Sequence, residues 1–320
     1  MLINAARSTF YSMGTLVSCI ASGEGSEKAV EEAEAEISKI EQKLSRFRND
    51  SEIGAINKSA GSSCVEVSAE TFALLENALE LCGFSMGLFD ITIGPLMDLW
   101  GDFDKDCNEP APGEIDEALA LVDYKDVVLD YDRKEVYLKR QGQKIDLGAI
   151  GKGYAADRAI QKMKELGITS AYVNIGGNVA TLGGKPDSSA WRIGILHPRQ
   201  LNTIIGSLSV TGKSVVTSGD YFRCRRNKND KALHHILDTR NGYPSRSGII
   251  SATVVSDCSL TADALSTILF TAGKDEAQRI LSEFDGCDAV LVDENLEIFM
   301  SAGIAGAFQA ADNIKPFVLN

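Results

Sequence analysis

The sequence predicts an α+β protein whose sheets are largely antiparallel and packed with helices. Two observations predict it. From Lys125 onward strand-like segments follow one another directly, joined by Gly and Pro turns, without strict alternation of strand and helix. Helical periodicity is confined to a few blocks, and from Lys125 the period changes to that of strands. With 320 residues, 44% hydrophobic and 24% charged, the chain is long enough to bury a substantial core in one large or two intimate domains.

Taken in order, residues 27 to 44 carry Val30, Ala33, Ile37, Ile40 and Leu44 at helical spacing, with Ser26 placed to cap and acidic residues on the outer face. A second helix is expected from Ser68 to Gly83, with Phe72, Leu75, Leu79 and Cys82 on one side, and a short third over Glu114 to Val122. Residues 101 to 113, with two Pro and two Gly, read as a loop or boundary. Val127 to Leu129, an Asp-Tyr-Asp-Arg turn and Val136 to Leu138 read as a hairpin feeding a strand at Lys144 to Asp146. A helix then runs to Leu166, where Gly167 ends it. Strands are expected at 171–175, 178–183, 191–196, 203–210, 214–217, 234–238 and 249–256, helices at 260–271 and 275–284, and final strands at 288–292 and 296–300.

The net charge of −13 excludes electrostatic tracking of nucleic acid or anionic lipid, so an anionic ligand needs a local device. Seven cysteines stand singly, in no C-x-x-C pair, which points to free thiols in a reducing compartment and away from zinc. The first residues show no apolar signal region, and no stretch approaches membrane-span length. The expectation is a cytoplasmic protein without a membrane anchor.

The run Asp146-Leu-Gly-Ala-Ile-Gly-Lys-Gly-Tyr-Ala-Ala-Asp157 is a glycine-rich turn that opens a helix. It fails as a Walker A loop, because Asp146 stands where the first Gly belongs and Gly153 replaces the hydroxyl residue. Asp263 and Thr267 lie four residues apart on one helix face, where a carboxylate and a hydroxyl can share one hard cation; equally, Asp263 is an acid placed favourably near a helix N-terminus. His234 and His235, on an expected strand, would point to opposite faces, so only one can face a given site. Phe89-Asp90-Ile-Thr92-Ile-Gly94-Pro95, Met13-Gly14-Thr15 and Asn174-Ile-Gly-Gly-Asn178 each also read as a plain turn or strand end.

In this order the segments closely resemble the ApbE family, the FAD:protein FMN transferases. The resemblance rests on Met13-Gly-Thr15, Leu44-Ser-Arg-Phe47 with Asp50-Ser-Glu, Phe89 to Trp100, Asp146 to Asp157, Asn174-Ile-Gly-Gly, His235-Ile-Leu-Asp and Asp263-Ala-Leu-Ser-Thr267; the set carries it, and no single motif does. It implies one catalytic domain over 1–320, with two intimately joined lobes and an active-site cleft between them. It implies a Mg²⁺-dependent enzyme that cleaves the pyrophosphate of FAD, passes FMN to a Ser or Thr hydroxyl of an acceptor flavoprotein and releases AMP. By position, Met13, Phe47, Leu88, Phe89, Asp90, Gly148, Tyr154 and Leu237 would contact FAD. The implied metal ligands are the Gly151 carbonyl, the Asp263 carboxylate, the Ser266 carbonyl and the Thr267 hydroxyl. The acceptor hydroxyl needs a base, for which Asp263 and His235 are the two candidates. Hydrolysis of FAD by water, and flavin binding without chemistry, are the competing readings. The sequence departs from the family pattern at Leu88 and Gly151, where alanine is usual, and at Asp238-Thr-Arg-Asn-Gly242, which replaces Asp-Pro-Arg-Thr-Gly.

Overall fold

The structure is a computed structural model that describes residues 5–101, 109–200, 202–221, 224–226, 232–311 and 314–319. The chain forms two compact units, one from Met1–Glu41, Ile150–Gly219 and Ser247–Asn320, the other from Gln42–Ala149 and Asp220–Arg246. The expected boundary at 101–113 lies in its central part, 102–108, outside the described residues, and Pro112–Leu119 beyond it is helix.

The first unit is built on a nine-stranded sheet whose spatial order follows the chain: Ala5–Ser12, Thr15–Ser22, Ser170–Ile175, Asn178–Leu182, Ser214–Gly219, Ile249–Ser256, Asp288–Asp293, Ile298–Met300 and Phe317–Val318. Each neighbouring pair is antiparallel except the last, which is parallel. The helix Gly151–Glu165 packs on the strands Ser170–Ile175 and Asn178–Leu182. The helix Ser259–Ala272 packs on Ser214–Gly219 and Ile249–Ser256, and the two helices pack on each other. The opposite sheet face meets a second, three-stranded antiparallel sheet of Trp191–Leu196, Ile204–Val210 and Phe308–Ala310. Alternation explains the division: Val215 and Val255 join Leu208 and Ile195 in one apolar cluster, whereas Ser218, three residues from Val215, faces the helix Ser259–Ala272.

The second unit holds the helices Glu52–Lys58, Ala69–Phe84, Gly94–Trp100 and Pro112–Leu119, with a three-stranded sheet of Val65–Glu66, Val127–Asp130 and Glu135–Leu138. Ser68 caps the helix Ala69–Phe84 by accepting the Thr71 N–H. Leu96, Trp100, Ile115, Leu233 and Leu237 form a core, in which Trp100 Nε1 donates to the Gly242 carbonyl at 2.8 Å. Burying side chains of this size contributes roughly 1.5–3 kcal/mol each.

The α+β prediction holds, but the short helices Glu52–Lys58 and Gly94–Trp100 were not expected, and other segments differ as well. The first hairpin, Ala5–Ser12 with Thr15–Ser22, was not expected; Met13 (φ 53°) and Gly14 (φ 71°) make its two-residue turn, a conformation that a Met-Gly pair signals only weakly. Lys144 to Asp146 is not a strand, since only Lys144 pairs, in a single bridge to Ile93. The strand expected at 234–238 ends at His234, and Leu237 makes one bridge to Pro244, so the opposite-face argument for the two histidines does not apply. Among the described residues no helix is long and apolar enough to cross a membrane.

Candidate active site

In the first unit the chemistry-bearing residues gather where the helices Gly151–Glu165 and Ser259–Ala272 meet. Gly153 makes the meeting possible, because a Cβ there would stand 2.3 Å from the Ser259 carbonyl oxygen and 2.8 Å from Asp263 Cβ. With no side chain in the way, the Gly153 N–H donates to Asp263 Oδ2 at 2.9 Å. Asp263 is 3% exposed, and its other oxygen lies 3.5 Å from Lys152 Nζ. A buried carboxylate needs such partners, since an ion without them costs several kcal/mol.

Asp157, one helical turn beyond Gly153, reaches the start of the second helix. Its Oδ1 accepts the Ser259 N–H and its Oδ2 the Leu260 N–H, both at 2.8 Å, and Cys258 Sγ lies 3.3 Å from Oδ2. Cys258 at the N-cap makes no capping bond of its own, so an acid on the neighbouring helix satisfies these donors. Burial pushes the Asp157 carboxyl above its ordinary range, against the pull of the two N–H groups.

Thr267 follows Asp263 by one turn and is half-buried. Ser218 Oγ lies 2.7 Å from Ser266 Oγ and 3.2 Å from Thr267 Oγ1, and Ser266 Oγ donates to the Asp263 carbonyl at 2.8 Å. Met13 belongs to the same neighbourhood, with its Cε 3.6 Å from where a Gly151 Cβ would stand. Tyr154, on the Gly151 helix, is half-buried. The Asn174–Asn178 motif is the turn between two strands, pressed on Thr15 at Gly176.

Among the described residues no three His, Cys, Asp or Glu side chains cluster as a metal site would require. The candidate set instead offers one carboxylate, one hydroxyl and main-chain carbonyls. These are hard oxygen donors of the kind that suit a divalent cation which keeps much of its water. The Lys152 ammonium beside Asp263 marks the same spot as one that takes positive charge.

The remaining candidates lie in the second unit. Phe47 is 82% exposed, with the Arg46 guanidinium 4.3 Å from its ring centre. Arg46 also pairs with Asp98 at 2.5 Å and Asp146 at 2.6 Å, and Lys144 pairs with Asp98 at 2.5 Å. Asp146 Oδ1 accepts the Gly148 N–H at 2.7 Å, which fixes the loop. Partial burial raises the Asp98 carboxyl, but the hydrogen bonds from Lys144 and Arg46 outweigh it and hold the group below its ordinary range.

Asp90 is buried and engaged: Oδ1 accepts from the Thr92 N–H and hydroxyl, both at 2.7 Å, and Oδ2 from the Tyr124 N–H at 2.9 Å. Burial raises its pKa against these bonds. Phe89 is buried and Leu88 half-buried beside it. A polar cavity of about 340 Å³ opens next to them, bordered by Met86, Gly87, Asp90, Tyr124, Thr239 and Arg240. Leu237 is in the core cluster, not on this cavity. His234 is buried, with Nε2 3.1 Å from the Ser245 carbonyl, and is structural; His235 is half-buried.

Sequence reasoning missed four participants: Lys152, Asp157, Ser218 and Arg46. Lys152, Asp157 and Arg46 stand inside motifs already singled out, so position marked them although residue type did not. Ser218 sits in an ordinary strand and left no signal.

Residues 13–291 match the ApbE family. The chain is 37% identical over 267 residues to the FAD:protein FMN transferase of Klebsiella pneumoniae (strain 342), covering 83% of this chain and 82% of that one. It is 34% identical over 301 residues to the FAD:protein FMN transferase of Treponema pallidum (strain Nichols), with 89% and 82% covered. The crystal structure of the ApbE protein of Thermotoga maritima superposes with a TM-score of 0.84 at 33% identity, over 92% of this chain and 96% of that one. The Pseudomonas stutzeri flavinyl transferase ApbE, in its apo form, gives 0.80 at 27% identity over 96% and 98%.

Proposed function

The chain belongs to the ApbE family, and on that premise we propose that it is a flavin transferase that moves FMN from FAD to a Ser or Thr hydroxyl of an acceptor flavoprotein and releases AMP. The observation that carries the proposal is the buried Asp263 carboxylate, fixed by the Gly153 N–H one turn before Thr267. Gly151 and Ser266, through their carbonyls, and Asp263 and Thr267, through their side chains, would hold Mg²⁺. Bound there, Mg²⁺ would offset the pyrophosphate charge that a protein of net charge −13 cannot offset generally.

The bond formed joins the acceptor hydroxyl oxygen to the FMN phosphorus, and the bond broken is the pyrophosphate P–O bond to AMP. The hydroxyl proton goes to a base. An Asp263 carboxylate that holds the cation is not available to take the proton, so His235 is the better candidate. Met13, Phe47, Leu88, Phe89, Asp90, Gly148, Tyr154 and Leu237 are the proposed FAD contacts, and Arg46 steadies both Phe47 and the loop that carries Gly148. We treat the chain as one catalytic domain, since the family match runs unbroken from 13 to 291. Cys107 lies outside the described residues, and Cys19, Cys64, Cys82, Cys258 and Cys287 are free thiols, which supports a reducing, cytoplasmic setting.

The test is incubation of the purified protein with FAD, Mg²⁺ and candidate acceptors. AMP release together with flavin fluorescence that stays on the acceptor in a denaturing gel is the expected result. AMP and free FMN without any acceptor would replace transfer by hydrolysis, and intact FAD after hours would remove the catalytic reading.

A further inference from the structure

Ser218 has no part in the roles above, yet its hydroxyl touches two residues of the candidate metal set. A hydroxyl carries one hydrogen and two lone pairs, so a chain of hydroxyls has a direction. Here the last member sets it. Ser266 Oγ gives its hydrogen to the Asp263 carbonyl at 2.8 Å, and a carbonyl can only accept. Ser266 must then accept from Ser218, at 2.7 Å, which spends the single hydrogen of Ser218. Toward Thr267 Oγ1, at 3.2 Å, Ser218 can therefore only accept.

The usual alternative for a helical threonine is the carbonyl four residues back, which for Thr267 is that of Asp263. Ser266 already uses that carbonyl. We infer that Ser218 is a positioning residue that draws the Thr267 hydroxyl hydrogen toward the sheet and so leaves the Thr267 oxygen lone pairs for a divalent cation. The inference rests on the metal reading proposed above. Were the direction reversed, Ser218 would occupy one Thr267 lone pair and the Thr267 hydrogen would turn outward, against an approaching cation. The strand Ser214–Gly219 makes the arrangement stiff, because its Ser218 main chain is fixed opposite Ala252 in a ladder with Ile249–Ser256 that runs from Ser214 to Gly219.

Titration of the purified protein, without FAD, with Mn²⁺ followed by electron paramagnetic resonance tests this directly. Ser218→Ala should weaken Mn²⁺ binding about 10-fold or more, as loss of a group that orients a ligand does. Ser218→Thr keeps the hydroxyl and should restore affinity to within a few-fold of wild type, with thermal unfolding unchanged in both variants. Ser266→Ala keeps its main-chain carbonyl but frees the Ser218 hydrogen, and should also weaken binding. Wild-type affinity in Ser218→Ala, or equal weakness in Ser218→Thr and Ser218→Ala, overturns the inference alone. Absence of Mn²⁺ binding by the wild type overturns the metal reading beneath it.

Discussion

The glycine-rich run is held in two ways along its length. From Asp146 to Ala149 it belongs to the second unit and is anchored by charge, through Arg46 to Asp146 at 2.6 Å and on to Asp98 and Lys144. From Ile150 to Asp157 it belongs to the first unit and is anchored by close backbone approach at Gly153 and by main-chain N–H groups donated to Asp157 and Asp263. In the first anchorage the Asp98 side chain is 39% exposed although Arg46 and Asp146 are only 11% and 13% exposed, whereas the Asp263 side chain is 4% exposed. Water and salt therefore weaken the outer part of the first anchorage, at Asp98 and Lys144, and scarcely reach the second. The half proposed to hold the cation is the half whose geometry does not depend on solvent, which is what a site of fixed oxygen donors requires.

The sharpest way to break that contrast is Asp263→Asn. The amide oxygen can still accept the Gly153 N–H, so the helix pair is retained while the charge is lost. Flavin transfer, read as AMP release, should fall by more than about 100-fold, beyond the range expected for groups that only orient a ligand. A variant that kept a tenth of the wild-type rate would remove Asp263 from the cation site.

Gly153→Ala comes next. The new Cβ would stand 2.3 Å from the Ser259 carbonyl, a backbone atom that cannot swing aside, so the helices must separate. The cost expected from such overpacking is about 1–3 kcal/mol in urea unfolding, with transfer lost as well. Arg46→Ala, in the charged half, leaves the largely buried Asp146 without its ion pair and should also destabilise, but the part of the cost owed to the exposed Asp98 should shrink in high salt, whereas the cost of Gly153→Ala should not. Equal salt dependence of the two substitutions would erase the distinction between the halves.

How far the sequence reveals this site follows from the kind of force at each position. The helix over 27–44 and the helix after Ser68 were legible because their apolar positions repeat with the helical period, and they fold as Ser26–Leu44 and Ala69–Phe84. Lys144 to Asp146 misled, since alternation there reflects contacts of a loop: Lys144 bridges Ile93, and Asn57 takes and gives hydrogen bonds at Ile145. Gly151, Asp263 and Thr267 could be named because they fall in motifs of a known family, while residue type alone left Asp263 indistinguishable from a well-placed helix acid. Ser218, and the role of Asp157 though not its place in a motif, were illegible for a physical reason. Their roles depend on partners 48 and 102 residues away along the chain, and no local pattern encodes such a meeting.

The smallest effect separates the halves by sign. A carboxyl whose folded-state pKa is lowered adds stability above its unfolded value, near 3.9, and that stability is lost as pH falls through the folded value. Asp98 is such a group, though its exposure keeps the contribution small. A carboxyl whose folded pKa is raised does the reverse: the native state holds the proton more tightly, so stability declines as pH rises from the unfolded value through the folded one. Asp157 is such a group, raised by burial against its two N–H partners. Urea unfolding of Asp98→Asn and Asp157→Asn, each compared with wild type across pH 3 to 7, should therefore give difference curves of opposite slope. The Asp157→Asn curve should also carry a pH-independent loss of about 1–3 kcal/mol, because an amide can accept only one of the two main-chain N–H groups and sets its own N–H against the other. Slopes of the same sign would mean that the Asp157 carboxylate is stabilised by its helix N-terminus more than burial opposes it, and the two halves would then be anchored by the same force.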